Sequence, residues 1–350
     1  MRELFGIDMR RQGMIDIYRL LFMLLIMKHH LYMEGPFNSA WIYVEFFFIL
    51  TGYYTAKKIS GGGTEDRAVA YALRKFVKFL PYVAVAEIFQ YVLRLESIVD
   101  GGRRALLSSV EALLCEGLLL STSNMVSAAI PPIWFLSAMF LVFPLFSVML
   151  SSQTHRAVVY CYLSWLIPVL YYGAAGVVSR KPWPHDLLRA FACMCLGVLA
   201  YQISLWLAAL SGQLWTKCVI SVFELAAVAI SVLCTYHNTG NTRLIVMAFI
   251  VIIACAMSGR SLLQTIHCPL IVGETSMVMF LLHWPMKTYL IKEGVDVTAQ
   301  DGMRVYYLLS VALSVALIIV VTFLERQYEK YKIKKWGGDP THRAWNVADQ

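Results

Sequence analysis

The chain has 350 residues, 59% of them hydrophobic and 15% charged, with a mean hydropathy of +0.63 and a net charge of +8. Soluble domains carry about 25% charged residues, so a water-exposed globular fold is excluded and much of the surface must face lipid. The excess Lys and Arg sit at the ends of apolar stretches and no aromatic-basic motif accompanies them, which points to membrane anchoring and not to nucleic acid.

Ten apolar stretches follow one another near residues 15–33, 40–56, 78–95, 133–151, 157–178, 187–210, 218–236, 243–258, 271–290 and 304–324. Each reads as a transmembrane helix of an all-α bundle, at about 20 residues per crossing. Nothing between them resembles a linker, so a single domain is expected, with a core over 14–325 and a basic tail over 326–350. The first stretch is interrupted by Lys28, His29 and His30 and lacks a small-residue cleavage site, so it does not read as a cleavable signal peptide. Segment 96–132 is no span. Leu106, Leu107, Val110, Leu113, Leu114 and Leu118 recur at helical spacing among Arg103, Arg104, Glu111 and Glu116. That predicts an amphipathic helix on the outer surface or over the mouth of the bundle.

Orientation follows from the cations. Arg2, Arg10 and Arg11 precede the first span, Lys57, Lys58, Arg67, Arg74, Lys75 and Lys78 follow the second, and Arg326, Lys330, Lys332, Lys334, Lys335 and Arg343 follow the last. An even number of spans places both termini on one side, and the positive bias makes it the cytoplasmic side of the inner membrane. Gly61, Gly62 and Gly63 mark a turn on that side. They are no phosphate cradle, since no strand precedes them. The eight cysteines form no C-x-x-C and no zinc spacing. Most lie inside apolar stretches, so they read as small buried residues, and no metal is expected.

Ionisable groups inside a bilayer are costly unless paired or facing a cavity, so they mark candidate sites. The first span carries Asp16, Arg19, Lys28, His29 and His30. Arg19 and His30 are eleven positions apart, which brings them within about 20° of one face and about 16 Å apart along the axis, while His29 points about 80° away. Arg19 and His30 can thus line one cavity. Glu45, near the outer end of the second span, shares the depth of His30 and is expected to orient its imidazole. His283 in the ninth span and Trp134 at the start of the fourth fall at similar depth, so four helices converge there.

These residues resemble acyltransferase family 3, the multi-span membrane enzymes that O-acylate sugars and related acceptors, over about residues 14 to 325. The family opens with Asp-x-x-Arg followed eleven residues later by His, matched by Asp16, Arg19 and His30. Its Val-Asp/Glu-x-Phe-Phe-x-x-Ser-Gly-Phe pattern reads here as Val44, Glu45, Phe46, Phe47, Phe48, Ile49, Leu50, Thr51, Gly52 and Tyr53. A basic pair before Pro-Tyr is represented by Lys75 and Lys78, with Arg74 alongside, before Pro81 and Tyr82. Lysine keeps the charge and loses the bidentate fork. Trp134, Phe135 and Leu136 match a later Trp-Phe-Leu. Gly273, Ser276, Leu281 and His283 fit a Gly-x-x-Ser-Tyr-x-x-Tyr-Leu-x-His signature in which Met277 and Phe280 replace both tyrosines.

The resemblance implies acyl transfer from acetyl-CoA or another acyl-CoA to a hydroxyl of a glycan or lipid-linked sugar. Arg74, Lys75 and Lys78 would hold the donor phosphates at the inner face, and the pantetheine arm would run along the Arg19 face. His30 would act as base or acyl carrier with Glu45 orienting it. Trp134, His283 and Ser276 would shape the acceptor end. A transporter or flippase, or a membrane sensor that binds without turnover, would also explain many spans with intramembrane charge. The transporter does not account for a histidine stacked over an arginine beside a basic cluster, and no two-fold repeat is visible; the sensor would bind without forming covalent product.

Overall fold

The computed structural model describes residues 11–31, 35–60, 65–121, 128–174 and 184–336. Arg2, Arg10, Gly61, Gly62, Gly63 and Arg343 lie outside the described residues. Twelve α-helices account for most of the described chain. They are α1 (Gly13–Leu31), α2 (Val44–Ile59), α3 (Glu65–Asp100), α4 (Gly102–Gly117), α5 (Trp134–Ser151) and α6 (Gln153–Val158). After a π turn come α7 (Ser164–Ala174), α8 (His185–Ala209), α9 (Leu214–Tyr236), α10 (Thr242–Met257), α11 (Leu270–Lys292) and α12 (Gln300–Trp336).

Five segments are long and apolar enough to cross a membrane: Val69–Asp100, Pro131–Ser151, His185–Ala209, Leu214–Tyr236 and Gln300–Tyr328. Thr242–Met257 is apolar but shorter. Helices α1, α2 and α11 miss that standard, for reasons visible in their residues. Helix α1 carries Asp16, Arg19 and Lys28; α11 carries Glu274, Lys287 and Lys292; α2 is only 16 residues long. Each of the three carries buried polar or charged side chains, Asp16 on α1, Glu45 on α2 and His283 on α11. Most of α2 is enclosed, including Glu45, whereas the most apolar stretch of α12 is only 22% buried and that of α3 28%. Helices α3 and α12 thus lie toward the outside with apolar surface exposed, while Asp16 of α1 and Glu45 of α2 turn inward, as a lipid solvent requires.

Packing between the inner helices depends on close approach, because lipid removes the hydrophobic drive between apolar surfaces. Gly52 of α2 and Gly197 of α8 meet so closely that a Cβ on either would strike the backbone of the other helix. A short antiparallel ribbon, β1 (Arg11–Gln12) with β2 (His267–Cys268), joins the start of α1 to the approach to α11. The Gly13 amide donates to the Ile266 carbonyl at 3.2 Å beside it. Phe22, Tyr43, Phe46 and Phe249 form an aromatic cluster with centroids 4.6 to 5.7 Å apart. Such pairs contribute about 0.5–1.5 kcal/mol each beyond the area they bury.

Cross-contacts set the helix directions. Lys78 meets Glu274 and Glu96 meets Lys292, so α3 and α11 run the same way. Arg19 lies against Gly273 and His30 against His283, so α1 shares that direction. Phe76 against Phe140 and Tyr71 against Phe143 set α5 opposite to α3. Phe48 against Phe135 and Thr51 against Met139 align α2 with α5. The Gly52–Gly197 and Glu45–Arg189 contacts align α8 with α2. Tyr307 donating to the Leu24 carbonyl and Lys28 meeting Met303 set α12 against α1.

Helix α4 falls in the segment expected to form an amphipathic helix on the outer surface or over the mouth of the bundle, and it packs along α3. After a reversal at Gly102, whose φ of +66 suits glycine, it folds back along α3. Glu116 accepts from Tyr91 Oη at 3.3 Å and from the Ile130 amide at 2.7 Å, and Gly117 lies against Glu87. The buried carboxylate needs those donors, and Tyr91 lies partway along α3, so Glu116 draws α4 back with it. Leu106, Leu107, Leu114 and Leu118 are then left exposed on the outer face.

Candidate active site

The first turns of α1 open onto a cavity of about 920 Å³. Its lining includes Arg19 from α1, Lys57 and Lys58 from α2, and Lys75 and Lys78 from α3. Asp16 and Glu274 are the carboxylates among its lining residues. Arg19 Nη1 bonds Asp16 Oδ1 at 2.8 Å, and Lys78 Nζ lies 3.2 Å from Glu274 Oε1. Lys58 stands over the Tyr71 ring at 4.5 Å, and Lys75 lies between the Tyr71 and Phe143 rings at 5.4 and 4.9 Å. Such stacking holds the ammonium groups close together in the cavity wall. Arg74 is not among the lining residues.

Gly273 explains how Arg19 reaches the cavity. A Cβ there would collide with the Asp16 carboxylate and the Arg19 guanidinium. Ser276, one turn on, donates its hydroxyl to the Gly273 carbonyl at 2.7 Å and is fully buried. Its visible contact is therefore within its own helix.

At the other end of α1, His30 meets His283 with ring centroids 5.1 Å apart. His29 lies 5.2 Å from His30, and Trp284 meets His30 edge-on at 5.7 Å. Lys287 donates to the His30 carbonyl, which ties the end of α1 to α11. His283 is fully buried, and its Nδ1 lies 3.1 Å from the Met279 carbonyl. A carbonyl only accepts, so Nδ1 carries a hydrogen, and in the neutral ring Nε2 keeps a lone pair. That Nε2 is buried with no hydrogen-bond partner among the described residues.

Glu45 is held elsewhere than expected. Arg189 Nε donates to its Oε1 at 2.6 Å and the Cys193 thiol to its Oε2 at 2.8 Å, with all three residues buried. Tyr172 Oη lies 3.0 Å from the same sulfur. The expected Glu45–His30 pair is thus replaced by an ion pair with α8. Trp134 belongs to this network: the Arg189 guanidinium lies 5.2 Å from its ring and 5.3 Å from that of Trp41. Sequence reasoning missed Arg189, Cys193, Lys287 and the cavity role of Lys57 and Lys58. The available signal for Arg189 was a single arginine in an otherwise apolar stretch. No group of three or more His, Cys, Asp and Glu residues that could hold a metal occurs among the described residues.

Apolar helices of spanning length enclosing charged inner helices, a basic cavity and a histidine pair define an α-helical membrane protein built around an interior site. The chain belongs to acyltransferase family 3: the model of that family's acyltransferase domain matches residues 13–323. It is a membrane acyltransferase. No curated protein and no solved structure matches it.

Proposed function

We propose that the protein is an O-acyltransferase that moves an acyl group, acetyl in the simplest case, from cytosolic acyl-CoA to a hydroxyl of a glycan or lipid-linked sugar. One observation carries the reading: a single helix, α1, presents Arg19 to a five-cation cavity and His30 to His283. A diphosphate and a ribose phosphate need converging cations, and Arg19, Lys57, Lys58, Lys75 and Lys78 offer them. Arg74 drops out of this donor set because it does not line the cavity. His30 acts as general base on the acceptor hydroxyl or carries the acyl group. The lone pair on His283 Nε2 can accept a proton from the ring of His30, the orienting role first expected of Glu45. Glu45 and Trp134 act from the adjoining Arg189 network, which braces the start of α5.

The helix directions support ten crossings. Helices α1, α3 and α11 run one way and α2, α5, α8 and α12 the other. That is the alternation expected if α1 to α3 are spans one to three, α5 the fourth, α6 with α7 the fifth and α8 to α12 the sixth to tenth. Helix α4 is then a hairpin arm in the outer leaflet, its exposed leucines against lipid. Both termini are cytoplasmic, at the cavity end of α1.

The test is transfer of label from radiolabelled acetyl-CoA in membranes holding the protein at matched levels. His30→Ala should abolish transfer, since losing a general base lowers rate by about 10²–10⁴-fold, while His29→Ala retains most of it. Glutamine at Lys57, Lys58, Lys75 and Lys78 together should raise the KM for acetyl-CoA at least tenfold more than that for the acceptor. Full activity in His30→Ala would sink the reading. Directional movement of a solute without covalent product would replace it with a transporter.

A further inference from the structure

The basic cavity and the histidine pair do not adjoin directly. His30 and His283 are absent from the cavity lining, and a layer of aromatic rings stands between. Phe135, the second residue of α5, lines the cavity. Its ring packs 5.1 Å from that of Phe280 on α11, and Phe280 in turn lies 5.9 Å from His283. Phe47 and Phe48 hold Phe135 from the other side, at 6.3 and 4.5 Å. Both Phe135 and Phe280 are buried, so neither ring swings freely into solvent.

The cavity is graded in polarity. Its cations come from the first turns of α1, the end of α2 and the early part of α3, whereas Phe135, Leu136, Met139, Met277 and Val278 make an apolar end. Met277 and Phe280 are also the two positions at which the chain lacks the tyrosines of the family signature. Both losses remove a hydroxyl at this same layer, one in the cavity wall and one behind it. Met277 and His283 are about 9 Å apart along α11. A donor whose phosphates rest among the lysines therefore presents its reactive end to a hydrophobic wall that shields the histidines.

We propose that Phe135 and Phe280 form the wall that sets the size of the acyl group the enzyme accepts. This rests on the acyl-CoA reading above. A short acyl group fits at the apolar end of the cavity beside Met277 and Phe135; a longer one meets the two rings. Removing a ring opens the path and gives added methylenes an apolar surface to bury. Each buried methylene strengthens binding by about fourfold, so two added methylenes amount to about fifteenfold.

The experiment uses membranes holding the full chain and measures displacement of radiolabelled acetyl-CoA by unlabelled acetyl-, butyryl- and octanoyl-CoA. Label transfer to the endogenous acceptor is followed in parallel. The wild-type protein should favour acetyl-CoA. Phe280→Ala and Phe135→Ala should raise the octanoyl-to-acetyl ratio at least tenfold, and the milder Phe280→Leu, which keeps the site packed, about threefold. An unchanged ratio in variants that still bind acetyl-CoA overturns the wall. Failure of the wild-type protein to bind any of the three overturns the donor reading itself, and the wall with it.

Discussion

Arg189 shows how much a single buried charge organises. It is 3% exposed, yet it meets Glu45, Trp41 and Trp134 at once. A buried ion pair adds little over an apolar pair of the same shape, but breaking one leaves an uncompensated charge at a cost of about 3–5 kcal/mol. Arg189→Met and Glu45→Gln should therefore each lower the unfolding midpoint of the detergent-solubilised protein sharply. The double variant should recover a large part of that loss, and strictly additive losses would show that the two residues do not act as a pair. Arg189 is the third residue of the apolar stretch 187–210. Its partner, 144 positions away, was invisible to helical spacing, which relates only residues on one helix. The same limit explains Glu45: its depth was legible, but depth does not choose between a histidine on one neighbour and an arginine on another.

Among the elements, α1 and α11 form the functional pair. Their parallel course brings the Asp16–Arg19 pair against Gly273 at one end and His30 against His283 at the other. Eleven residues return a helix to nearly the same face, and both Arg19 and His30 do turn toward α11, but the one cavity expected to join them is not formed, since its lining includes Arg19 and not His30. The complement on α11 was not readable, since the reason for glycine at 273 lies on another helix. Gly273→Ala should displace Arg19 from the cavity, with a packing cost of about 1–3 kcal/mol. The measured outcome should be a raised KM for acetyl-CoA at normal protein level. An unaltered KM would mean that α11 shifts to make room. Helix α4 teaches a related lesson. Its helical spacing was legible, but where the helix lies was not, because buried Glu116 is held by Tyr91 and the Ile130 amide, contacts with segments outside α4 that bind it along α3.

At the scale of the whole molecule, helix α12 is 37 residues long, about 55 Å at 1.5 Å per residue. That exceeds the hydrocarbon thickness of about 30 Å, so one end projects into water. In the topology proposed above that end, which carries the basic residues from Arg326 onward, is the cytoplasmic one. A topology reporter fused after Gln350 should accordingly read as cytoplasmic and one inserted at Gly102 as external. Two external readings would make the number of crossings odd. The short α10 would then be the first helix to re-examine, since it has only 16 residues.

Composition and local order were enough to establish a lipid-embedded helical protein, its family, and the alignment of Arg19 with His30, because these depend on the solvent and on one helix's own geometry. Tertiary structure decided which charges meet. It gave Glu45 to Arg189, left His283 beside His30, admitted Lys57 and Lys58 to the cavity in place of Arg74, and set Phe135 and Phe280 between cavity and histidines. Such choices rest on close approach between helices far apart in the chain, at Gly52 with Gly197 and at Gly273 with Asp16. A buried charge takes the partner that packing brings within hydrogen-bond reach, and no periodicity along a single segment encodes that distance.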